Sequence, residues 1–231
     1  MRTPDASAPD GTRARGVWTI VVAGGAGSRF GRPKQFEPLA GRPVIEWSVA
    51  AARRATDGVV LVVPARDVAR ARSLGADVVV AGAETRSGSV REGLACVPSG
   101  AAVVVVHDAA RPLASPALFA AVVAPLSRSD VDGVVCGLAV SDTLKRVGSD
   151  GSTVTGTVDR SAIVAVQTPQ AFRASVLRRA HAAGGDATDD AALVEAVGGT
   201  VRVVPGDPHN VKLTVPSDLE LLEHLARGGA W

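Results

Sequence analysis

The sequence predicts an α/β fold, a Rossmann-like, mostly parallel sheet flanked by helices, with one projecting β-arm. Three observations carry this expectation. Apolar residues make up 46% of the 231 residues and aromatics only 3%, and the apolar set is dominated by Val and Ala, which suits buried parallel strands under close-packed helices. Short β-rich runs alternate with helical patterns, as βαβ units require. Between residues 141 and 158 that alternation breaks.

Taken in order, residues 1–16 mix Pro, Asp, Gly and Arg without an apolar core, which reads as a disordered tail and not a secretory signal. Strands are expected at 17–23, 58–63, 77–80, 102–106 and 133–140, with helices at 43–55, 66–74, 87–97 and 115–126 between them. Pro43 suits a first helical turn, where its missing N–H costs nothing. Residues 141–158, rich in Gly, Ser, Thr and Asp, read as a hairpin or arm. Beyond it come a strand at 163–167, helices at 171–182 and 189–197 and a strand at 200–204. A last helix is expected from Ser217 as N-cap, with Glu220 three residues on, to Gly228 and Gly229. The whole of 17–231 reads as a single domain, for no linker long enough to divide it is present.

Composition also excludes. A formal charge of +2 is too small for bulk-charge attraction to nucleic acid or a membrane surface. No apolar run approaches spanning length. Cys96 and Cys136, the two cysteines, are far apart and read as buried thiols in a reducing cytosol, which places the chain in the cytoplasm. His181 and His224 fall in helical patterns and read as surface residues. No His/Cys cluster has zinc spacing, and no Ser/His/Asp order stands out.

The chemistry concentrates in the first βα turn, Ala23-Gly24-Gly25-Ala26-Gly27-Ser28-Arg29-Phe30-Gly31-Arg32-Pro33-Lys34-Gln35. Glycines after a buried strand allow a sharp turn and bring backbone N–H groups close to an anion. The end of a parallel strand is where open α/β sheets bind ligands. Phe30 at the third position breaks the dinucleotide fingerprint, and no Gly-Lys-Ser/Thr completes a Walker A loop. What remains is a glycine-rich loop with Arg29 and Lys34, fit to hold a triphosphate, against the plainer reading of a tight turn with solvated bases. His107-Asp108 ends a run of valines, so a carboxylate leaves the core where ligands bind. An isolated Asp there would more simply cap a helix.

In combination, Gly24-Gly25-Ala26-Gly27-Ser28-Arg29 with Pro33-Lys34-Gln35-Phe36 resembles the signature of the 2-C-methyl-D-erythritol 4-phosphate cytidylyltransferases. Further blocks follow in the family's order: Thr85-Arg86-Ser87-Gly88-Ser89, His107-Asp108-Ala109-Ala110-Arg111-Pro112, Asp142-Thr143-Leu144-Lys145, Val158-Asp159-Arg160, Thr168-Pro169-Gln170, Thr188-Asp189-Asp190-Ala191 and Asn210-Val211-Lys212. The resemblance spans 17–225. It implies transfer of CMP from CTP to the polyol phosphate with release of pyrophosphate, on Mg²⁺ held mainly by the CTP phosphates. It implies a homodimer joined through the arm, with no nucleic acid or membrane partner.

By the same resemblance Arg29, Lys34, Arg160 and Lys212 are the catalytic cations. Ala23, Gly24, Gly25, Ala26, Gly27, Ser28, Arg86, Ser89 and Asp108 bind the nucleotide, Arg86 and Ser89 near the cytosine and Asp108 at the ribose or the metal. Arg111, Thr143, Arg160, Thr168 and Thr188 face the acceptor, with no protein residue marked as a dedicated metal ligand. Taken alone, Ser89 could be an ordinary helix-start residue, Thr188 a cap for the following helix, Lys212 a snorkelling residue in a short strand and the arm a solvated hairpin. His107 reads as ordering its turn, not as a proton donor. Two departures stand out: the loop between Arg29 and Lys34 is short, and the first strand lacks a proline common in relatives. Ribitol 5-phosphate as acceptor, and a nucleotide-binding homologue without turnover, are the competing readings.

Overall fold

The computed structural model describes residues 16–25, 30–128 and 130–229. The expected tail and positions 26–29 of the glycine-rich turn therefore lie outside the described residues. The chain runs β1 (Val17–Val22), β2 (Pro38–Leu39), β3 (Arg42–Pro43), α1 (Val44–Ala55), β4 (Gly58–Val63), α2 (Val68–Ala71), β5 (Val78–Ala81), α3 (Arg86–Cys96) and β6 (Val103–Asp108). It continues through α4 (Pro116–Val123), β7 (Gly133–Ala139), β8 (Leu144–Val147), β9 (Val154–Val158), β10 (Val164–Arg173), α5 (Ala174–Ala182), α6 (Asp190–Ala196), β11 (Val201–Pro205) and α7 (Pro216–Gly228).

Seven strands form the central sheet in the order β11-β7-β10-β6-β1-β4-β5. All neighbours pair parallel except β10, which runs antiparallel to both β6 and β7. Strand alternation sorts the side chains into two cores. Val59, Leu61 and Val63 of β4 pack with Ile45, Val49 and Ala52 of α1 and with Phe119 and Val122 of α4. Val60 and Val62 face the other way, onto Val90 and Leu94 of α3, with Leu177 of α5 and Leu193 of α6 in the same cluster. Both faces are covered, as a buried run such as Gly58–Val63 requires. α3 lies so close that a Cβ on Gly93 would stand 2.6 Å from Ile20 Cγ2 and 2.9 Å from Val62 Cγ2, which only glycine allows.

A third cluster, with Phe30, Leu39, Val44, Leu113, Leu213 and Leu222, ties α7 and the β2–β3 ribbon to the start of α1 and to the loops that carry Leu113 and Leu213. β8 and β9 form a separate antiparallel hairpin, the expected arm. It leaves from the end of β7 and returns to the start of β10. Among the described residues no helix is long and apolar enough to cross a membrane.

Five local expectations are corrected. The strand predicted at 163–167 continues to Arg173, so α5 starts at Ala174 and not at 171. The helix at 66–74 is one α-turn between 3-10 turns. α7 begins at Pro216 and is closed by Asp218, whose carboxylate accepts from the Thr214 and Val215 N–H groups at 2.6 and 2.8 Å, so neither Ser217 nor Glu220 is its cap. Residues 211–214 form no strand. His181 is buried, 3% exposed, although His224 is exposed as expected. Both cysteines are free thiols, Cys136 buried and Cys96 half-buried. The Cys136 Sγ reaches the Pro169 carbonyl at 3.2 Å, and burial pushes its pKa up to about 11.

Candidate active site at the carboxyl ends of β1 and β6

In the order β5-β4-β1-β6 the crossovers reverse direction between β1 and β6, and the crevice at that switch point is the place for a ligand. β1 ends there in the glycine-rich turn. Ala23 donates its N–H to the Val62 carbonyl at 2.8 Å, and Gly24 and Gly25 emerge progressively toward solvent. Arg29 and Ala26 to Ser28 lie outside the described residues. On the far side Gly31 has φ +82°, a left-handed turn suited to glycine, which leads into the 3-10 turn Lys34–Phe36. Lys34 is half-buried there.

β6 delivers His107 and Asp108. The His107 Nε2 lies 3.1 Å from the Arg111 carbonyl and Nδ1 lies 3.2 Å from Thr168 Oγ1. A carbonyl only accepts, so the proton sits on Nε2 and the Thr168 hydroxyl donates to Nδ1. The same hydroxyl accepts from the Asp108 N–H at 3.0 Å. Burial holds the His107 pKa down to about 4 despite Asp108, so the ring is neutral and orders the turn, as its sequence context implies. It does not face the cleft.

Asp108 takes two cations. Lys212 Nζ stands 2.7 Å from its Oδ2, and Arg86 Nε and Nη2 each 3.4 Å from its Oδ1. Burial alone would raise its pKa, but Arg86 and then Lys212 outweigh that and hold it at about 2. Arg86 opens α3 behind the N-cap Thr85, whose side chain accepts from the Gly88 N–H. Its Nη1 reaches the fully buried Asp190 at 2.8 Å. Burial works against the Arg86 charge, yet Asp190 and Asp108 keep its pKa above the ordinary arginine value.

Lys212 is placed by pins on either side. Asn210 is fully buried and donates to the Thr168 carbonyl at 2.8 Å. Gln167 donates to the Asp207 carbonyl at 3.0 Å, while Leu213 is buried and donates its N–H to the Ala110 carbonyl at 2.7 Å. Arg111 Nη1 donates to the Asn210 carbonyl at 2.7 Å. The Asn-Val-Lys block thus combines a structural amide with a cation at the rim.

The structure brings together Arg86, Asp108, Arg111, Thr168, Thr188 and Lys212, which line one cleft of about 210 Å³ with Gln167, Gln170 and Asp189 among others. Ser89 takes a different position. It is buried, 3% exposed, and its hydroxyl donates to the Ala83 carbonyl at 3.2 Å and accepts from the Ala83 N–H at 3.1 Å. It lies beneath Gly24, 3.4 Å from where a Cβ would stand, so it shapes the floor of the crevice. Thr188 is not the cap of α6, because the Asp189 side chain accepts from the Ala192 N–H at that helix start. Thr143 and Arg160 are exposed on and beside the arm and do not line the cleft.

Sequence reasoning misses two participants. Asp190 stands within one of the family's blocks but carries no role there, and His181 reads as a surface residue. The spacing from Leu177 to His181 is one helical turn on the buried face, a signal that could find it. As to a divalent cation, among the described residues no group of three or more His, Cys, Asp or Glu could hold one. Asp108 is a carboxylate that lines the cleft, a hard oxygen donor that fits a divalent cation whose remaining ligands are phosphate oxygens.

A family model for 2-C-methyl-D-erythritol 4-phosphate cytidylyltransferase matches residues 17–227. A protein of that name from Rhodococcus opacus (strain B4) is 48% identical over 221 residues, 93% of this chain and 96% of its own length. One from Nocardia farcinica (strain IFM 10152) is 46% identical over 218 residues, 90% of this chain and 93% of its own. Among solved structures, a 2-C-methyl-D-erythritol 4-phosphate cytidylyltransferase from Thermus thermophilus superposes with TM-score 0.77 at 36% identity, covering 90% of this chain and 98% of that one.

Proposed function

This chain belongs to the 2-C-methyl-D-erythritol 4-phosphate cytidylyltransferase family, and from that premise we propose how its residues perform the reaction. CTP and 2-C-methyl-D-erythritol 4-phosphate give 4-diphosphocytidyl-2-C-methyl-D-erythritol and pyrophosphate, a step of non-mevalonate isoprenoid biosynthesis. The nucleophile is an oxygen of the acceptor's phosphate, ionised at neutral pH, so no general base is required. It attacks the α-phosphorus, the bond to the bridging oxygen breaks, and pyrophosphate departs with that electron pair.

The obstacle is charge, an anion approaching a polyanion. Positioning and neutralisation are therefore what the protein must supply. The observation that carries this reading is the Arg86–Asp108–Lys212 cluster at the end of β6, beside the turn that bears the glycines. Lys212, with Arg29 and Lys34, stands against the triphosphate, and the backbone from Ala23 to Ser28 meets phosphate and the cytosine edge. Arg86 lies by the cytidine, over a floor set by Ser89. Arg111, Thr168 and Thr188 take the acceptor side of the same cleft.

Mg²⁺, when bound, neutralises phosphate charge, with Asp108 as its protein oxygen and the nucleotide as its main ligand. Arg160 and Thr143 reach the acceptor phosphate across a homodimer formed through the arm. An arginine fork matches a phosphate monoester with two parallel hydrogen bonds. The arm exposes Val147 and Val154 at 49% and 57%, apolar surface that a second copy would cover. We place the reaction in the cytoplasm.

Pyrophosphate release from CTP, assayed with methylerythritol phosphate and then with ribitol 5-phosphate, tests the acceptor. Turnover with the second alone would replace the reading by its closest rival, and none with either would leave a nucleotide-binding homologue. In the same assay Lys34→Ala and Arg29→Ala each lower kcat/KM by roughly 10²- to 10³-fold, by analogy with loss of one oxyanion donor. Near-normal values in both would refute the electrostatic mechanism.

A further inference from the structure

Asp190 is a fully buried carboxylate that the reaction does not use directly. It stands behind the cleft between two donors, with Oδ2 2.8 Å from Arg86 Nη1 and Oδ1 2.9 Å from His181 Nε2. The His181 Nδ1 is buried without a partner, and a carboxylate oxygen only accepts, so it is Nε2 that donates to Asp190. The chain of contacts runs from α5 through α6 to the first residue of α3.

A buried ion pair of this kind adds little to stability, because taking both charges out of water offsets their attraction. Its effect is geometric. Arg86 is tightly bonded to Asp190 and only loosely, at 3.4 Å, to Asp108, while Asp108 is held at 2.7 Å by Lys212. With a quarter of its side chain exposed, Arg86 lines the cleft. Without Asp190 its nearest acidic partner would be Asp108, and its guanidinium would be drawn across the nucleotide site.

We propose that Asp190, itself oriented by His181, is a positioning residue that fixes the Arg86 guanidinium for the nucleotide. The inference rests on the reading that Arg86 contacts CTP. An amide in place of Asp190 has one accepting oxygen for two donors, so either Arg86 or His181 then faces an N–H group.

The test is steady-state kinetics of pyrophosphate release on full-length variants, with circular dichroism confirming the fold. Asp190→Asn raises KM for CTP and lowers kcat/KM for CTP by about ten- to a hundredfold, the scale of a 1 Å misplacement, while KM for the polyol phosphate stays within about twofold. In an Arg86→Ala background the same substitution produces no further loss, since it acts through Arg86. A second, multiplied loss in that background, or wild-type kinetics in Asp190→Asn beside a defective Arg86→Ala, overturns the inference alone. Wild-type kinetics in Arg86→Ala removes the nucleotide role of Arg86 and the inference with it. His181→Leu, which removes one donor, raises KM for CTP by a smaller factor. If Asp190→Asn fails to fold, a wild-type KM in His181→Leu overturns the proposal.

Discussion

Gly93→Ala tests whether the close approach of α3 to the sheet sets both stability and nucleotide binding. The added methyl would stand 2.6 Å from Ile20 Cγ2 and 2.9 Å from Val62 Cγ2, where ordinary contact begins near 3.4 Å. Relief requires α3 to lift by about 0.8 Å, a gap that also costs contacts along Val90 and Leu94. Both obstacles are β-branched side chains on central strands with little rotamer freedom. The overpacking cost therefore falls at the upper end of its usual range, about 3 kcal/mol. Replacing a helical glycine returns about 1 kcal/mol, so the net loss is about 2 kcal/mol. Unfolding entropy of about 2 cal/mol/K per residue over 231 residues converts that to a Tm lower by about 4 °C.

The same lift moves Arg86 and Ser89 at the start of α3. KM for CTP should therefore rise by roughly tenfold or more, approaching the 10²-fold penalty of a 1 Å misplacement. Thermal melts and CTP titrations on purified variant and wild type measure both effects. A Tm equal to or above that of the wild type, with unchanged kcat/KM for CTP, would refute the reasoning.

Two further expectations concern the supports of the site. The His107 ring, held neutral first by burial with a pKa of about 4 against 6.5, refuses a proton that the unfolded chain accepts. Stability contributed by its neutral form is thus present above pH 6.5 and lost as pH falls toward 4, about 3 kcal/mol in all. Urea unfolding between pH 7 and pH 5 should show the decline, and His107→Gln should flatten it; an unchanged slope in that variant counts against the assignment. Leu213→Ala empties a fully buried position beside Leu113 and Leu222 and should cost about 3 kcal/mol. It should also raise KM for CTP by loosening Lys212, and a loss under about 1 kcal/mol would show that the third cluster does not carry that loop.

The parallel half of the sheet is legible because its strands are short, continuous valine runs between helical periods. β4 matches its expected bounds, and β1 differs by one residue. β10 is only half legible. Thr168-Pro169-Gln170 reads as a break, since proline cannot donate to a ladder. The structure places that proline where the pairing with β7 shifts between Gln167 and Gln170, so the strand passes through it and resumes. The helical spacing of 171–182 then hides three strand residues. Lys212 is identifiable but its support is not: a segment held by Asn210, Gln167 and Leu213 has no periodicity to read. Asp190 and His181 take their meaning from a distance of 2.9 Å across two helices, which no local pattern records.

The reversed direction of β10 has a consequence for how such an enzyme can diversify. β7 ends and β10 begins at the same rim of the sheet, paired through Ala139 and Val164, so the excursion between them starts and finishes at neighbouring points. Lengthening, trimming or exchanging that hairpin leaves the register of every other strand unchanged, as loop insertions at an exposed rim generally do. The central sheet and the arm are therefore separable units of inheritance. A hybrid carrying a relative's residues 140–163 would keep this sheet and the Arg86–Asp108–Lys212 cluster at its edge.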